Sequence, residues 1–133
     1  MSEQNSGMPT MDGDAKLGRT RFLVRATISV AAGNEQKTNP ALAGRLQKAL
    51  RWVDADDYYF VIEHGKRCIY FFLTVAGTHE LPRIAEALWI GLDAEVEFLP
   101  AITQADFERG KAAADEVVAS FQPAVPVTAG TDG

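Results

Sequence analysis

The sequence predicts an α+β domain. It is built on a four-stranded antiparallel sheet with two helices on one face, and a third helix comes after the last strand. Three observations carry this expectation. Residues 21–31 and 95–100 alternate apolar and polar side chains with a period of two, the mark of half-buried strands. Residues 57–64 and 66–76 are rich in aromatic and β-branched residues and meet at Gly65, as the arms of a hairpin do. Between these segments lie stretches whose apolar residues recur at helical spacing.

In the first strand Phe22, Val24, Ala26, Ile28 and Val30 share one side, and Arg21, Leu23, Arg25, Thr27 and Ser29 the other. Gly33-Asn34 breaks the pattern. Asn39-Pro40 then reads as a helix start, with Asn as the cap and Pro in the first turn, where its missing N–H costs nothing. Leu42, Leu46, Ala49, Leu50 and Val53 continue that helix over 40–53. A two-residue turn at Gly65-Lys66 would set Ile62 opposite Ile69, and a turn at His64-Gly65 would shift every partner by two. Either choice leaves the same residues on the same faces. Leu81, Ile84, Ala85, Leu88 and Leu92 mark a second helix that begins near Thr78 or His79, with Gly91 as its stop. After the strand 95–100, Thr103 with Asp106 three residues on forms an acidic variant of a capping box. It opens a helix running to about Phe121, with Phe107, Ala114, Val118 and Phe121 on one side.

The order β-α-β-β-α-β is the ferredoxin-like arrangement, with sheet order 4-1-3-2. The domain is expected over 20–122, between disordered tails at 1–19 and 123–133 that are too polar or too Pro- and Gly-rich to bury a core. The chain has 133 residues, 47% of them hydrophobic, which is enough for a core without a metal or disulfide staple. Its one cysteine, Cys68, excludes a disulfide framework and a cysteine-based zinc site. No apolar run approaches the roughly 20 residues of a membrane span. The first residues lack a basic stretch followed by an apolar one, so a cytoplasmic protein is expected. A net charge of −5 argues against a nucleic-acid partner.

Two helices cover one side of such a sheet, and the other side is where a function would lie. Leu23, Arg25, Thr27, Ser29, Tyr59, Val61, Glu63, Cys68, Tyr70, Phe72, Thr74, Glu95, Glu97 and Leu99 are expected there. Large aromatics stand among an arginine and several carboxylates, and the apolar part exceeds what a monomer usually leaves bare. A second copy is the simplest cover, because a two-fold interface is self-complementary. Arg25, Tyr59, Glu63, Tyr70, Phe72, Glu95 and Glu97 are the candidate interface or ligand-binding residues. Arg25 is expected to pair with Glu95 or Glu97 across the sheet. In a ligand-binding version Arg25 would anchor a carboxylate, Tyr59 and Tyr70 would wall the ligand, and Glu97 would serve as a base.

The element order, the half-polar open face and the segment LPRIAEALWIGLDAEVEFLPAITQADFERG resemble the dimeric α+β-barrel superfamily. Within it the likeness is to small bacterial proteins of unknown function. It spans about residues 21–121 and is specific over 81–110. The resemblance implies a homodimer paired through its sheets, with space between them for a small ligand. Some members are cofactor-independent monooxygenases, haem-degrading enzymes or muconolactone-type isomerases. The Asn, Trp and His of the haem-degrading members have no counterparts here, so the resemblance assigns no catalytic residue, and no cofactor or metal is expected.

Other residues have plainer readings. His64 and His79 fall in turns without a second ligand at metal spacing. Cys68 suits a small buried hydrophobe. Asp54, Asp56 and Asp57 read as a solvated turn, Arg45, Lys48 and Arg51 as a solvated helix face, and Trp52 and Trp89 as packing residues. An RNA-binding face would need basic neighbours around Tyr70 and Phe72, where carboxylates stand instead.

Overall fold

A computed structural model describes residues 19–123. The expected tails fall outside this range except for Arg19 and Pro123. The elements run β1 (Thr20–Ile28), α1 (Val30–Thr38), a 3₁₀ turn (Pro40–Leu42), α2 (Arg45–Val53), β2 (Asp57–Glu63), β3 (Lys66–Val75), a 3₁₀ turn (Thr78–Glu80), α3 (Leu81–Leu92), β4 (Ala94–Ala101) and α4 (Gln104–Phe121). The chain divides into two compact units, one ending at Ala101 and the other beginning at Ile102.

In the first unit all strand pairs are antiparallel and the sheet order is β2-β3-β1-β4. One face is the core. Phe22, Val24, Ala26 and Ile28 of β1 lie beside Ile69, Phe71, Leu73 and Val75 of β3, all buried under Ala49 and Val53 of α2 and Ile84, Leu88 and Leu92 of α3. The period-two patterns of β1 and β3 thus become one buried layer. Phe98 of β4 closes one side of it, edge-on to Phe22 at 6.0 Å between ring centres.

The first crossover departs from expectation. β1 stops at Ile28, and Ser29 begins a helix: its Oγ accepts the Ala32 N–H at 3.0 Å. The alternation through Val30 and Ala31 is accidental, because a serine that caps outweighs three residues of strand pattern. Gly33 lies inside α1, buried, and a Cβ there would overlap the Arg67 guanidinium. Asn39 does act as a cap, accepting from the Ala41 N–H at 2.9 Å, yet only a single 3₁₀ turn results. Gly44 then takes φ +85°, a left-handed conformation that no helix continues through, so the helix expected over 40–53 is shortened to α2.

At the other end of the helix layer, α3 runs past Gly91 and stops at Asp93, which takes the left-handed cap at φ +55°. Gly91 instead lets α2 approach, since a Cβ there would meet the Ala49 Cβ at 3.2 Å. The two packed helices complete each other's C-termini. Arg45 at the start of α2 donates to the Ile90 and Gly91 carbonyls at 2.7 and 3.2 Å. Arg83 near the start of α3 donates to the Trp52 and Val53 carbonyls. These carbonyls have no partner within their own helices, and a cation there also favours the helix dipole. Arg45 is therefore a helix cap rather than part of a solvated stripe. Trp52 and Trp89, expected to pack, are 58% and 50% exposed, because the buried sides of their helices are taken by Val53 and Leu88.

The hairpin turn is His64-Gly65, with both residues at positive φ (+54° and +75°) and Glu63 opposite Lys66. Positive φ at both central residues is the turn that matches strand twist. It sets aside the Gly65-Lys66 turn and its pairing of Ile62 with Ile69, since Ile62 faces Arg67 and Ile69 faces Phe60. In the second unit, Thr103 caps α4 by accepting the Asp106 N–H at 3.0 Å. Ion pairs Arg109–Asp106 and Lys111–Asp115 run along that helix at 2.7 and 2.9 Å.

Candidate functional site

The open face of the sheet is ordered in rungs that the strand register fixes. One rung, read from β2 to β4, is Tyr59, Tyr70, Arg25 and Glu97. The rung on one side of it is Asp57, Phe72, Leu23 and Leu99, and on the other side stand Val61, Cys68, Thr27 and Glu95. Alternation in each strand brings these residues to one face, and the antiparallel register lines them up.

The central rung is a polar chain. Arg25 Nε donates to Glu97 Oε1 at 2.6 Å, and its Nη2 donates to the same oxygen. Its Nη1 lies 3.6 Å from Glu63 Oε2. The Tyr70 hydroxyl donates to Glu63 Oε1 at 2.9 Å. One guanidinium thus sits between two carboxylates, with the phenol tied to one of them. Tyr70 foremost and Glu97 next hold the Arg25 proton even more firmly than usual, so this charge is permanent. The Tyr70 hydrogen bond draws the Glu63 carboxyl below its ordinary pKa against desolvation, and the charge of Arg25 and the Cys68 thiol add smaller effects in the same direction as Tyr70.

Glu63 reaches this chain from an unexpected direction. It belongs to the hairpin end, opposite Lys66, two rungs from Tyr70. Its side chain extends back along the strands and over Cys68, whose Sγ lies 3.7 Å from Glu63 Oε1 and 3.8 Å from Thr27 Oγ1. Cys68 is accordingly 1% exposed although it points to the open face. Burial, the largest cause, raises its thiol pKa, which keeps it protonated at neutral pH.

Around the chain lies apolar surface. Tyr59, Val61, Phe72 and Leu99 are 55, 36, 40 and 45% exposed, and the Tyr59 and Phe72 rings meet edge-on at 6.1 Å. Tyr59, Val61, Ile62, Glu63, Tyr70 and Phe72 line a shallow hollow of about 430 Å³. The Tyr59 hydroxyl donates to Asp57 Oδ2 at 2.8 Å, and this bond is the chief cause of its raised pKa.

Of the seven residues singled out from the sequence, Arg25, Glu63, Tyr70 and Glu97 form one hydrogen-bonded cluster. Tyr59 and Phe72 flank it. Glu95 stands one rung away, opposite Thr27, and Arg25 chooses Glu97. Asp57 was not among the seven, yet it accepts from the Tyr59 hydroxyl, and its position in the alternation was the available signal; Thr27 contacts Cys68. The three aspartates after α2 are individually employed. Asp54 takes the left-handed cap of α2, Asp56 accepts from Thr74 Oγ1 at 2.7 Å, and Asp57 accepts from the Tyr58 N–H and the Tyr59 hydroxyl. His64 and His79 stand in the hairpin turn and the second 3₁₀ turn. No helix among the described residues is long and apolar enough to cross a membrane. No protein-family model, curated protein or solved structure matches the chain.

Proposed function

We propose that the chain associates with a second copy of itself through the open sheet face. It would form a homodimer of the ferredoxin-like, dimeric α+β-barrel kind, with room for a small ligand between the sheets. The observation that supports this most is the pairing of bare apolar surface with a polar chain that is already satisfied. Tyr59, Val61, Phe72 and Leu99 stand exposed, while Arg25, Glu63, Tyr70 and Glu97 hydrogen-bond among themselves. Burying a charge without a partner is costly. Here Arg25 and Glu97 of the central rung carry each other as partners within one copy, so a second copy can cover that rung without supplying counter-charges to them. In such a dimer the hollow beside Tyr59 and Phe72 becomes a walled cavity.

A ligand in that cavity would meet aromatic rings and Glu63. Arg25 already faces Glu97 and Glu63, which leaves it poorly placed to anchor a ligand carboxylate. The same engagement of both carboxylates weakens the alternative of a cofactor-free oxygenase or isomerase that uses Arg25 as anchor and Glu97 as base.

Light scattering coupled to size exclusion tests the reading. Twice the chain mass is expected at micromolar concentration. Phe72→Glu, on the exposed side of β3, is expected to give a folded monomer. A wild-type monomer under those conditions, or a Phe72→Glu protein that remains dimeric, would overturn it.

A further inference from the structure

The opposite side of β2 carries a second, unassigned feature. Phe60 and Ile62 point to the helix side of the sheet, where β1 and β3 are buried, yet they are 59% and 88% exposed. The reason is the broken first crossover. With the chain interrupted at Asn39 and again at Gly44, α2 packs along α3, and α1 reaches the outer part of the sheet only at its hairpin end. A slot of about 540 Å³ remains between α1, α2 and the underside of the β2–β3 hairpin. That volume falls within the roughly 300–1,000 Å³ typical of small-molecule sites.

Ile28, Leu46, Phe60, Ile62 and Ile69 make its walls apolar, and the charged side chains that line it, Lys37 and Arg67, are both cationic. Neither forms an ion pair with a carboxylate among the described residues. Arg67 donates to the neutral Asn34 Oδ1 at 3.2 Å. Gly33 gives the guanidinium its place, since any side chain there would displace it. The slot therefore joins an apolar body to two cations that no carboxylate among the described residues pairs with.

We infer that this slot binds a small amphipathic monoanion, a carboxylate with an alkyl or aryl body. The apolar part would cover Phe60 and Ile62, and the carboxylate would lie between Lys37 and Arg67. A cationic or neutral amphiphile of the same length lacks the second half of this match. The inference is independent of association through the open face, because the slot lies on the other side of the sheet.

Isothermal titration of the full chain with sodium decanoate, decanol and decyltrimethylammonium provides the test. Decanoate is expected to bind saturably, once per chain, and about tenfold or more tighter than either analogue, the worth of one charge-assisted contact. Lys37→Glu, on an exposed turn of α1, and Arg67→Gln are each expected to weaken decanoate about tenfold and to leave decanol unchanged. Phe72→Glu is expected to leave decanoate binding intact, which separates this site from the open face. Absence of saturable decanoate binding, equal affinity for the three amphiphiles, or indifference to both charge variants would overturn the inference. So would a second copy covering the slot, seen as a dimer that Ile62→Asp dissociates and Phe72→Glu does not.

Discussion

Glu63 lies across Cys68 and is held there by the Tyr70 hydroxyl at 2.9 Å, so a carboxylate forms part of the cover over the one cysteine of the chain. A negative charge and burial together disfavour the thiolate. Native protein is expected to react slowly with a thiol reagent such as dithionitrobenzoate. Glu63→Ala removes both cover and charge, and the labelling rate at neutral pH is expected to rise about tenfold or more. Equal rates for the two proteins would show that Cys68 is protected by something else.

Neighbours in β3 give a second contrast. Phe71 is fully buried on the helix side and Phe72 is 40% exposed on the other. Phe71→Ala is expected to cost about 3–5 kcal/mol in chemical denaturation. Phe72→Ala should cost far less in the isolated chain, and its main effect is expected on self-association. Similar losses of folding stability from both would contradict the two-sided reading of this strand.

Acid sensitivity arises from two carboxylates. Glu63 is held below its ordinary pKa first by Tyr70 and then by Arg25. Glu80 is held low first by the Ala76 N–H at 2.7 Å, with Arg83 at 3.0 Å adding to it. A carboxyl whose folded pKa is depressed stabilises the fold fully above its unfolded value, near 4.5, and this contribution disappears as pH falls through the folded value. The denaturation midpoint is expected to be level near neutrality and to fall below about pH 4.5. Glu80→Gln should flatten that fall, as a urea titration at several pH values will show.

The reciprocal caps of the helix layer can be removed one at a time. Arg45→Ala and Arg83→Ala are each expected to lower stability by about 1 kcal/mol, because helix carbonyls lose a charged donor. The two sites lie at opposite ends of the α2–α3 pair, so the double variant is expected to show the sum. A double variant no worse than either single would mean that one of the caps is idle.

The hairpin turn offers the last check. His64 sits at φ +54°, which a β-branched residue adopts only under strain, so His64→Val is expected to cost roughly 1–2 kcal/mol. His64→Asn creates the Asn-Gly pair that this turn favours and is expected to raise the thermal midpoint.

These residues also show what a sequence of this kind carries openly. Alternation assigns a strand residue to a face whatever the register, which is why Arg25, Tyr59, Tyr70, Phe72 and Glu97 were legible as one surface. The contact between Glu63 and Tyr70 was not, because a long side chain can span two rungs and no periodicity records its path. The start of α1 was hidden since Ser29, Val30 and Ala31 happen to continue the strand pattern while Ser29 caps a helix. Gly91 looked like a helix stop, but its missing side chain serves close packing against Ala49, and an aspartate took the left-handed position. The slot beneath β2 depends on where the crossover breaks, a tertiary consequence of Gly44 that helical spacing does not register.

The sheet has unlike margins. β4 carries as its penultimate residue Pro100, which has no N–H to donate, and Glu95 and Glu97 along its length. β2 runs Asp57–Glu63 without a proline, apolar on both sides between its acidic ends. Charges and prolines are what keep a strand from recruiting another. The two margins of the sheet therefore differ: β4 carries a proline and β2 does not. Strand pairing of two copies through β2 would leave only β4 margins at the ends of the joined sheet, where Pro100 discourages a further strand.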